Sequence, residues 1–115
     1  MESKEMMKKI CELLDEKKGQ DIVAVDVTEM TTLADYFVIC SAKSTTAVRA
    51  LFDNLDEGMS KLGFEPKHKE GVAEGRWVCA DYGDVIVHIF HDETRLFYHL
   101  ERLWDTGNNA LKFPF

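Results

Sequence analysis

The strongest constraint on the fold is a β-hairpin pattern in the last third of the chain. Two apolar runs, Arg76–Asp81 and Val85–His91, flank a short turn that contains Tyr82 and Gly83. Apolar runs joined by a glycine-bearing tight turn are typical of two antiparallel strands. A helical pattern follows directly, and both tryptophans fall between positions 76 and 104. This segment therefore holds most of the side chains that recognition or catalysis would use.

The rest of the chain supplies helices and strands in an order that indicates the fold class. In chain order, the pattern predicts a helix over Ser3–Lys18, strands over Ile22–Val27 and Tyr36–Ser41, a helix from Ser44 or Thr45 to Gly63, an edge strand over Pro66–Glu70, and a helix after the hairpin that starts at Asp92 or Thr94. Together with the hairpin, this order predicts one α/β (α+β) domain over residues 1–115. We expect a mixed five-stranded β-sheet flanked by helices.

The helix ends and the C-terminal segment carry further expectations. Ser3 is expected to cap the first helix, and Gly19 to end it in the left-handed conformation. The last helix is expected to bury one apolar stripe, made of Leu96, Phe97, Leu100, Leu103 and Trp104. The segment Ala110–Phe115 either docks on a groove or is frayed, and the sequence leaves both readings open.

The acidic composition limits the class of partner. The chain has a formal net charge of −7 and no long basic stripe. The phosphate backbone of a nucleic acid would repel such a chain, so we expect little direct nucleic-acid contact. Electrostatic steering would instead favour a basic protein partner.

Cysteine usage and hydropathy indicate a cytoplasmic protein. The three cysteines are widely spaced and form no CxxC pair, which argues against a disulfide framework and a thiolate zinc site. The longest apolar runs are far shorter than the roughly 18 residues of a membrane helix, and the first residues lack the apolar core of a signal peptide. No membrane partner is expected.

The titratable residues of the hairpin do not form a recognisable catalytic site. His88 and His91 are three residues apart on a strand, so they point to opposite faces and cannot share a metal ion. Asp81 and Asp84 bracket the turn, where aspartate is a common turn residue, although a metal or a partner remains an alternative. A nucleophile pair of Cys79 and His88 stays an alternative because the two lie on adjacent strands, yet Cys79 sits between Val78 and Ala80 with no adjacent base to lower the pKa of its thiol. The sequence predicts no cofactor and no metal.

Aromatic and charged residues of the same segment suggest a binding surface. Tryptophan, tyrosine and arginine are the residue types enriched at interface hot spots. On this ground Trp77, Tyr82, Arg95 and Tyr98 are predicted to form a surface, with core packing as the alternative. Trp104 is predicted to lie in the core.

The chain also resembles the ribosomal silencing factor family, the Iojap-like proteins, over nearly its whole length. The segments that carry the resemblance are Asp21–Val27, Ala34–Ser41, Glu70-Gly71, Trp77–Phe90 and Arg95–Trp104. The resemblance implies a mixed sheet with flanking helices, related to nucleotidyltransferases but without their activity. It further implies binding to ribosomal protein L-fourteen on the large subunit, which blocks joining with the small subunit and lowers translation during starvation. Some members of the family form homodimers.

Two departures from the nucleotidyltransferase pattern support a non-catalytic reading. The turn after the second strand reads Ser41-Ala42-Lys43-Ser44 instead of containing a glycine-serine pair, and no strand carries Asp-x-Asp. The alternatives are a diverged magnesium-dependent nucleotidyltransferase that uses Asp81 and Asp84, and a homodimer that buries Trp77. The residues predicted to bind the ribosomal partner are Trp77, Asp81, Tyr82, Asp84, His88, Arg95, Tyr98 and Glu101.

Overall fold

The structure, a computed structural model, describes residues 1–98 and 100–115, and side chains outside positions 96–101. Its elements are α1 (Ser3–Glu16), β1 (Gln20–Asp26), β2 (Tyr36–Ala42), α2 (Thr45–Lys61), β3 (His68–Glu70), β4 (Trp77–Asp81), β5 (Val85–His91), α3 (Asp92–Tyr98), α4 (Leu100–Trp104) and β6 (Ala110–Lys112). The predicted order of helices and strands is confirmed up to the end of the hairpin. None of the described helices combines the length and the apolarity needed to cross a membrane.

The strands form one mixed sheet in the order β3-β4-β5-β2-β1-β6. Strands β2 and β5 run parallel, while the other neighbouring pairs are antiparallel. The predicted hairpin is confirmed, with Trp77 paired to Phe90 and Asp81 to Ile86. The predicted α+β fold and mixed sheet are therefore confirmed. The strand count of five is wrong, because β6 adds a sixth strand.

Strand β6 settles where the C-terminal segment lies. Its residues pair with β1, from Val25 opposite Ala110 to Val23 opposite Lys112. The side-chain amide of Asn109 fixes the approach, because its Nδ2 donates to the carbonyl oxygens of Asp26 and Trp104, each over 2.8 Å. A segment of this length has no periodicity of its own, so only pairing with β1 makes it a strand.

Helices α1 and α2 cover one face of the sheet. Their fully buried side chains include Ile10, Leu14, Leu51, Leu55 and Met59. These pack with the strand residues that point to the same side in a single apolar cluster. The helical period of the apolar positions places them on one stripe, so both helices bury that stripe against the sheet.

The helix ends agree with the sequence at α2 and differ at α1. The Ser44 side chain accepts a hydrogen bond from the Ala47 amide over 3.0 Å and caps α2 as predicted. The expectation for Ser3 is wrong, since Glu2 occupies the cap position and makes no side-chain cap bond. Lys18, at φ 61°, takes the left-handed conformation expected of Gly19. At Gly19 a Cβ would lie 3.1 Å from the Leu14 carbonyl oxygen, so glycine there avoids crowding.

The second face of the sheet is covered over β1 and β2. Trp104 is half-buried and packs edge-on against Phe37 with ring centroids 5.0 Å apart, so its predicted core position is confirmed only in part. Leu103, by contrast, is 75% exposed, so its predicted place in a buried stripe is wrong. Adjacent helical positions differ in direction by about 100°, and Trp104 takes the inward one. The other predicted stripe residues, Leu96, Phe97 and Leu100, lie outside the described side chains.

Candidate docking surface

Strands β3, β4 and β5 carry a row of partly exposed side chains on the second face of the sheet. Strand register places on it the side chains of His68, Glu70, Trp77, Cys79, Asp81, Ile86 and His88, which we call the β3–β5 face. His68 and Glu70 are exposed, and Trp77, Cys79, Asp81 and Ile86 are half-buried. The opposite sides of β4 and β5 are buried under the helices. The described side chains therefore leave this face partly open, and its two longer strands, β4 and β5, are anchored from behind.

Trp77 is held on this face by a specific hydrogen bond. Its indole Nε1 donates to Nδ1 of His88 over 3.1 Å. The ring also packs on Phe90 with centroids 4.9 Å apart. Because Nδ1 accepts, the neutral imidazole carries its proton on Nε2. The predicted site residue Trp77 thus lies at the open face with its orientation fixed.

His88 lies beneath Trp77 and is only 8% exposed. Its ring sits 5.4 Å from that of Phe37 and 6.3 Å from that of Phe90. Burial lowers the pKa of His88 from 6.5 to about 4, because the charged imidazolium would lose its hydration there. His88 is therefore neutral near pH 7, and its predicted direct contact with a partner has little surface available.

The two predicted aspartates flank the β4–β5 turn in different roles. The Asp81 carboxylate accepts a hydrogen bond from the Gly83 amide over 2.7 Å and so fixes the turn. Gly83 has φ 91°, which glycine adopts without strain. Asp84 points its side chain to solvent, while its carbonyl oxygen accepts from the Asp35 amide over 2.8 Å. Asp84 is thus the more available carboxylate of the two.

Tyr82 does not belong to this surface. It is 6% exposed and lies in the apolar cluster under the helices, on the side of β4 opposite to Trp77. Among the described residues its hydroxyl has no hydrogen-bond partner. Burial raises the pKa of Tyr82, and the nearby charges of Asp56 and Glu65 raise it further. The expectation that Tyr82 anchors a partner is corrected, because strand alternation turns it into the core.

Arg95 is also buried instead of exposed. It is 8% exposed, and its Nη1 donates to the Ser41 hydroxyl over 3.2 Å and to the Gln20 carbonyl oxygen over 3.3 Å. These bonds tie α3 to the ends of β1 and β2. Arg95 lines a cleft of about 800 Å³ between those strand ends, α4 and β6. The predicted interface role of Arg95 is corrected to a structural one, since its contacts point into the protein.

The three cysteines differ in access. Cys11 and Cys40 are fully buried, and burial raises the pKa of each thiol to about 12. Cys79 is half-buried on the β3–β5 face, and its pKa is raised by burial and by the charges of Glu70 and Asp81. The pattern predicted all three as buried small residues. The alternation Trp77, Cys79, Asp81 already placed Cys79 beside the tryptophan.

The titratable side chains that the structure describes form no group suited to a metal ion. His91 lies on the opposite side of β5 from His88, as strand alternation predicted, and its Nδ1 is 3.6 Å from the Asp92 carboxylate. Among the residues that the structure describes, no three histidine, cysteine, aspartate or glutamate side chains are grouped to hold a metal ion. The side chains of Tyr98 and Glu101, both predicted to bind the partner, lie outside the described residues.

Comparisons with known proteins agree in pointing to one family. The chain matches the family model described as ribosomal silencing factor during starvation over residues 1–113. It is 38% identical over 104 residues to the ribosomal silencing factor of Bacillus subtilis, which covers 90% of this chain and 88% of that protein. It is similar, at 35% identity over 95 residues, to a mouse protein named mitochondrial assembly of ribosomal large subunit protein 1, covering 80% of this chain and 42% of that one. A crystal structure of a Chromobacterium violaceum protein matches the fold with a TM-score of 0.88 at 33% identity, over 90% of this chain and 87% of that one.

Proposed function

Since this chain belongs to the ribosomal silencing factor family, we propose that it binds the large ribosomal subunit through ribosomal protein L-fourteen. The bound protein then prevents joining with the small subunit and represses translation under starvation. It acts by occupying a surface and without catalysis. The β3–β5 face is the surface that makes the contact.

The observation that carries this proposal is the position of Trp77. A tryptophan held by a hydrogen bond on an open sheet face has a large apolar area and a fixed orientation. Such residues are the commonest anchors of protein interfaces, because burying them releases much water at a small cost in side-chain entropy. Ile86, half-buried near the turn end of β5, adds apolar area to the same face.

The carboxylates of the β3–β5 face favour a basic partner. Glu70 lies opposite Cys79, next to Trp77 along β4. Asp81 and the exposed Asp84 lie at the turn end of the same face. In a chain of net charge −7, this arrangement disfavours a bare RNA surface and suits the basic side chains of a ribosomal protein. Complementary rim charges mainly raise the association rate, and they make binding sensitive to salt.

The dimensions of the protein support a steric block. The domain measures 34 × 34 × 25 Å along its principal axes. Two ribosomal surfaces that must come into contact cannot do so with a folded body of this thickness between them. No moving part is needed, which fits a face built on strands anchored by two helices.

Co-sedimentation with purified large subunits tests the surface. Trp77→Ala should weaken binding by about 2 kcal/mol or more, which is about thirtyfold in Kd. Leu62→Ala removes an apolar side chain that is also exposed, at the end of α2, and should bind as the wild type does. Melting temperatures and light scattering of each variant show whether fold and oligomeric state are unchanged. A folded Trp77→Ala variant that binds at wild-type strength would place the contact elsewhere.

Rim charge is tested with a second matched pair. Asp84→Asn should slow association and flatten its dependence on salt, because it removes an exposed carboxylate beside the face. Asp53→Asn makes the same change on the solvent side of α2. The proposal requires the first variant to differ from the second in association rate. Isolated ribosomal protein L-fourteen in place of the whole subunit identifies the partner, and a subunit-joining assay checks the block.

A further inference from the structure

We infer that His88 is a positioning residue, whose imidazole holds the Trp77 indole in the orientation that a partner meets. The inference rests on the proposed function, in which Trp77 is the central anchor. It assigns to His88 a role through another side chain instead of a contact of its own.

The strand register brings the two rings together diagonally. Trp77 is directly opposite Phe90, and His88 is directly opposite Cys79. Trp77 and His88 are therefore diagonal neighbours on the same face, a separation that long aromatic side chains can bridge. The distance of 3.1 Å between Nε1 and Nδ1 shows that they do.

The imidazole is itself held from below. Phe37 packs edge-on against it, with the planes at 70°, and Phe90 stacks at 17°. A ring fixed in this way is a fixed acceptor, whereas a mobile acceptor would follow the indole instead of orienting it. The order of support runs from the core rings to His88 and from His88 to Trp77.

The chemistry of the pair explains why histidine occupies this position. The indole N–H is only a donor, and it needs an acceptor wherever water has restricted access. A leucine or phenylalanine at position 88 would suit the rings of Phe37 and Phe90 without the desolvation that an imidazole undergoes. The hydrogen bond to Trp77 is the interaction that an apolar side chain cannot supply.

Fixing the indole before binding lowers the cost of association. A large side chain that is ordered only in the complex loses its rotational freedom at that moment, which weakens binding. Removing the acceptor should therefore weaken binding to the large subunit by about three- to tenfold, without removing any contact with the partner. The effect must pass through Trp77.

The first test observes the hydrogen bond in the free protein. The chain has two tryptophans, so its NMR spectrum contains two indole N–H signals, and Trp104→Phe assigns them. The Trp77 signal should lie downfield and exchange slowly with water. His88→Leu should move it upfield, while His88→Asn, whose side-chain oxygen can replace Nδ1 as acceptor, should retain most of the shift. A Trp77 signal that exchanges freely in the wild type would overturn the inference.

The second test is a double-mutant cycle on binding to the large subunit. His88→Leu should weaken binding about three- to tenfold in the wild type and have no further effect in a Trp77→Phe background, whose ring offers no N–H. His88→Asn should bind within about threefold of the wild type. An equal loss in both backgrounds would show that His88 touches the partner directly, and no loss in either would show that its orientation of Trp77 is irrelevant to binding.

The two proposals fail in different ways. If Trp77→Ala binds as the wild type does, the β3–β5 face is not the contact surface. If Trp77→Ala weakens binding and His88→Leu, folded by its melting curve, does not, only the positioning role of His88 is overturned.

Discussion

Lowering the pH should destabilise the protein through His88. Burial among aromatic rings lowers the pKa of this imidazole from 6.5 to about 4. In the unfolded chain the imidazole keeps its ordinary pKa, so between these values the unfolded state binds a proton that the folded state does not. The free energy of unfolding therefore has its full contribution above pH 6.5, and it falls as the pH drops towards 4.

The size of the effect follows from the same two values. Each pKa unit corresponds to 1.36 kcal/mol, so protonation of His88 removes about 3 kcal/mol of stability by pH 4. A domain of this size has a total of about 5 to 15 kcal/mol. The loss should be visible in an ordinary unfolding experiment.

Urea unfolding at pH 7, 6, 5 and 4 measures it, with His88→Asn as the control. Carboxylates begin to protonate at the lower end of this range in both proteins, so the difference between them isolates the imidazole. Stability of the wild type should fall by about 3 kcal/mol more than that of the variant. Parallel curves would refute the argument, because they would mean that His88 titrates alike in the folded and unfolded states.

Four further outcomes are expected. Gly71→Ala should lower the free energy of unfolding by about 3 kcal/mol or more, because a Cβ there would overlap the Trp77 carbonyl oxygen. Gly63→Ala, also at positive φ but in open space, should lower it by about 1 kcal/mol, and urea unfolding measures both. Tyr82→Phe should leave binding to the large subunit unchanged and should not lower the free energy of unfolding, since it removes a buried hydroxyl that has no partner among the described residues. Alkylation of Cys79, measured at alkaline pH because its thiol pKa is raised, should slow when the large subunit is bound. Millimolar ATP with magnesium should not raise the melting temperature, and a rise would favour the nucleotidyltransferase alternative.

The parts of the fold that were predictable depend on signals between near neighbours in the chain. The hairpin follows from two apolar runs and a glycine turn, and the capping of α2 by Ser44 follows from one serine before a periodic stripe. Strand β6 depends instead on pairing between Ala110–Lys112 and β1, far away in the chain. No local pattern in so short a segment distinguishes a strand from a frayed end.

The location of the candidate site was predictable from the sequence, whereas the residues that belong to it were less so. Residue type alone placed Tyr82 and Arg95 beside Trp77. Strand alternation already placed the Tyr82 side chain on the side of β4 opposite to Trp77, so for Tyr82 the sequence contained a pattern that should have outweighed residue type. Arg95 had none, because its acceptors on Ser41 and Gln20 lie 54 and 75 residues away in the chain.

The two faces of β4 and β5 have different roles, since one contributes to stability and the other to recognition. On one side Val78, Ala80, Val87 and Ile89 are completely buried under the helices, which fixes the strands. On the other side the same strands carry Trp77, whose neighbours leave it partly open. His88 lies on the same side as Trp77, where its ring packs against the buried Phe37 and Phe90 and its Nδ1 accepts the hydrogen bond from the indole. Substitutions at His88 should therefore affect stability and binding together, whereas substitutions at Asp84 should affect binding alone. This contrast follows from burial and not from chemistry, because His88 is buried and Asp84 is exposed.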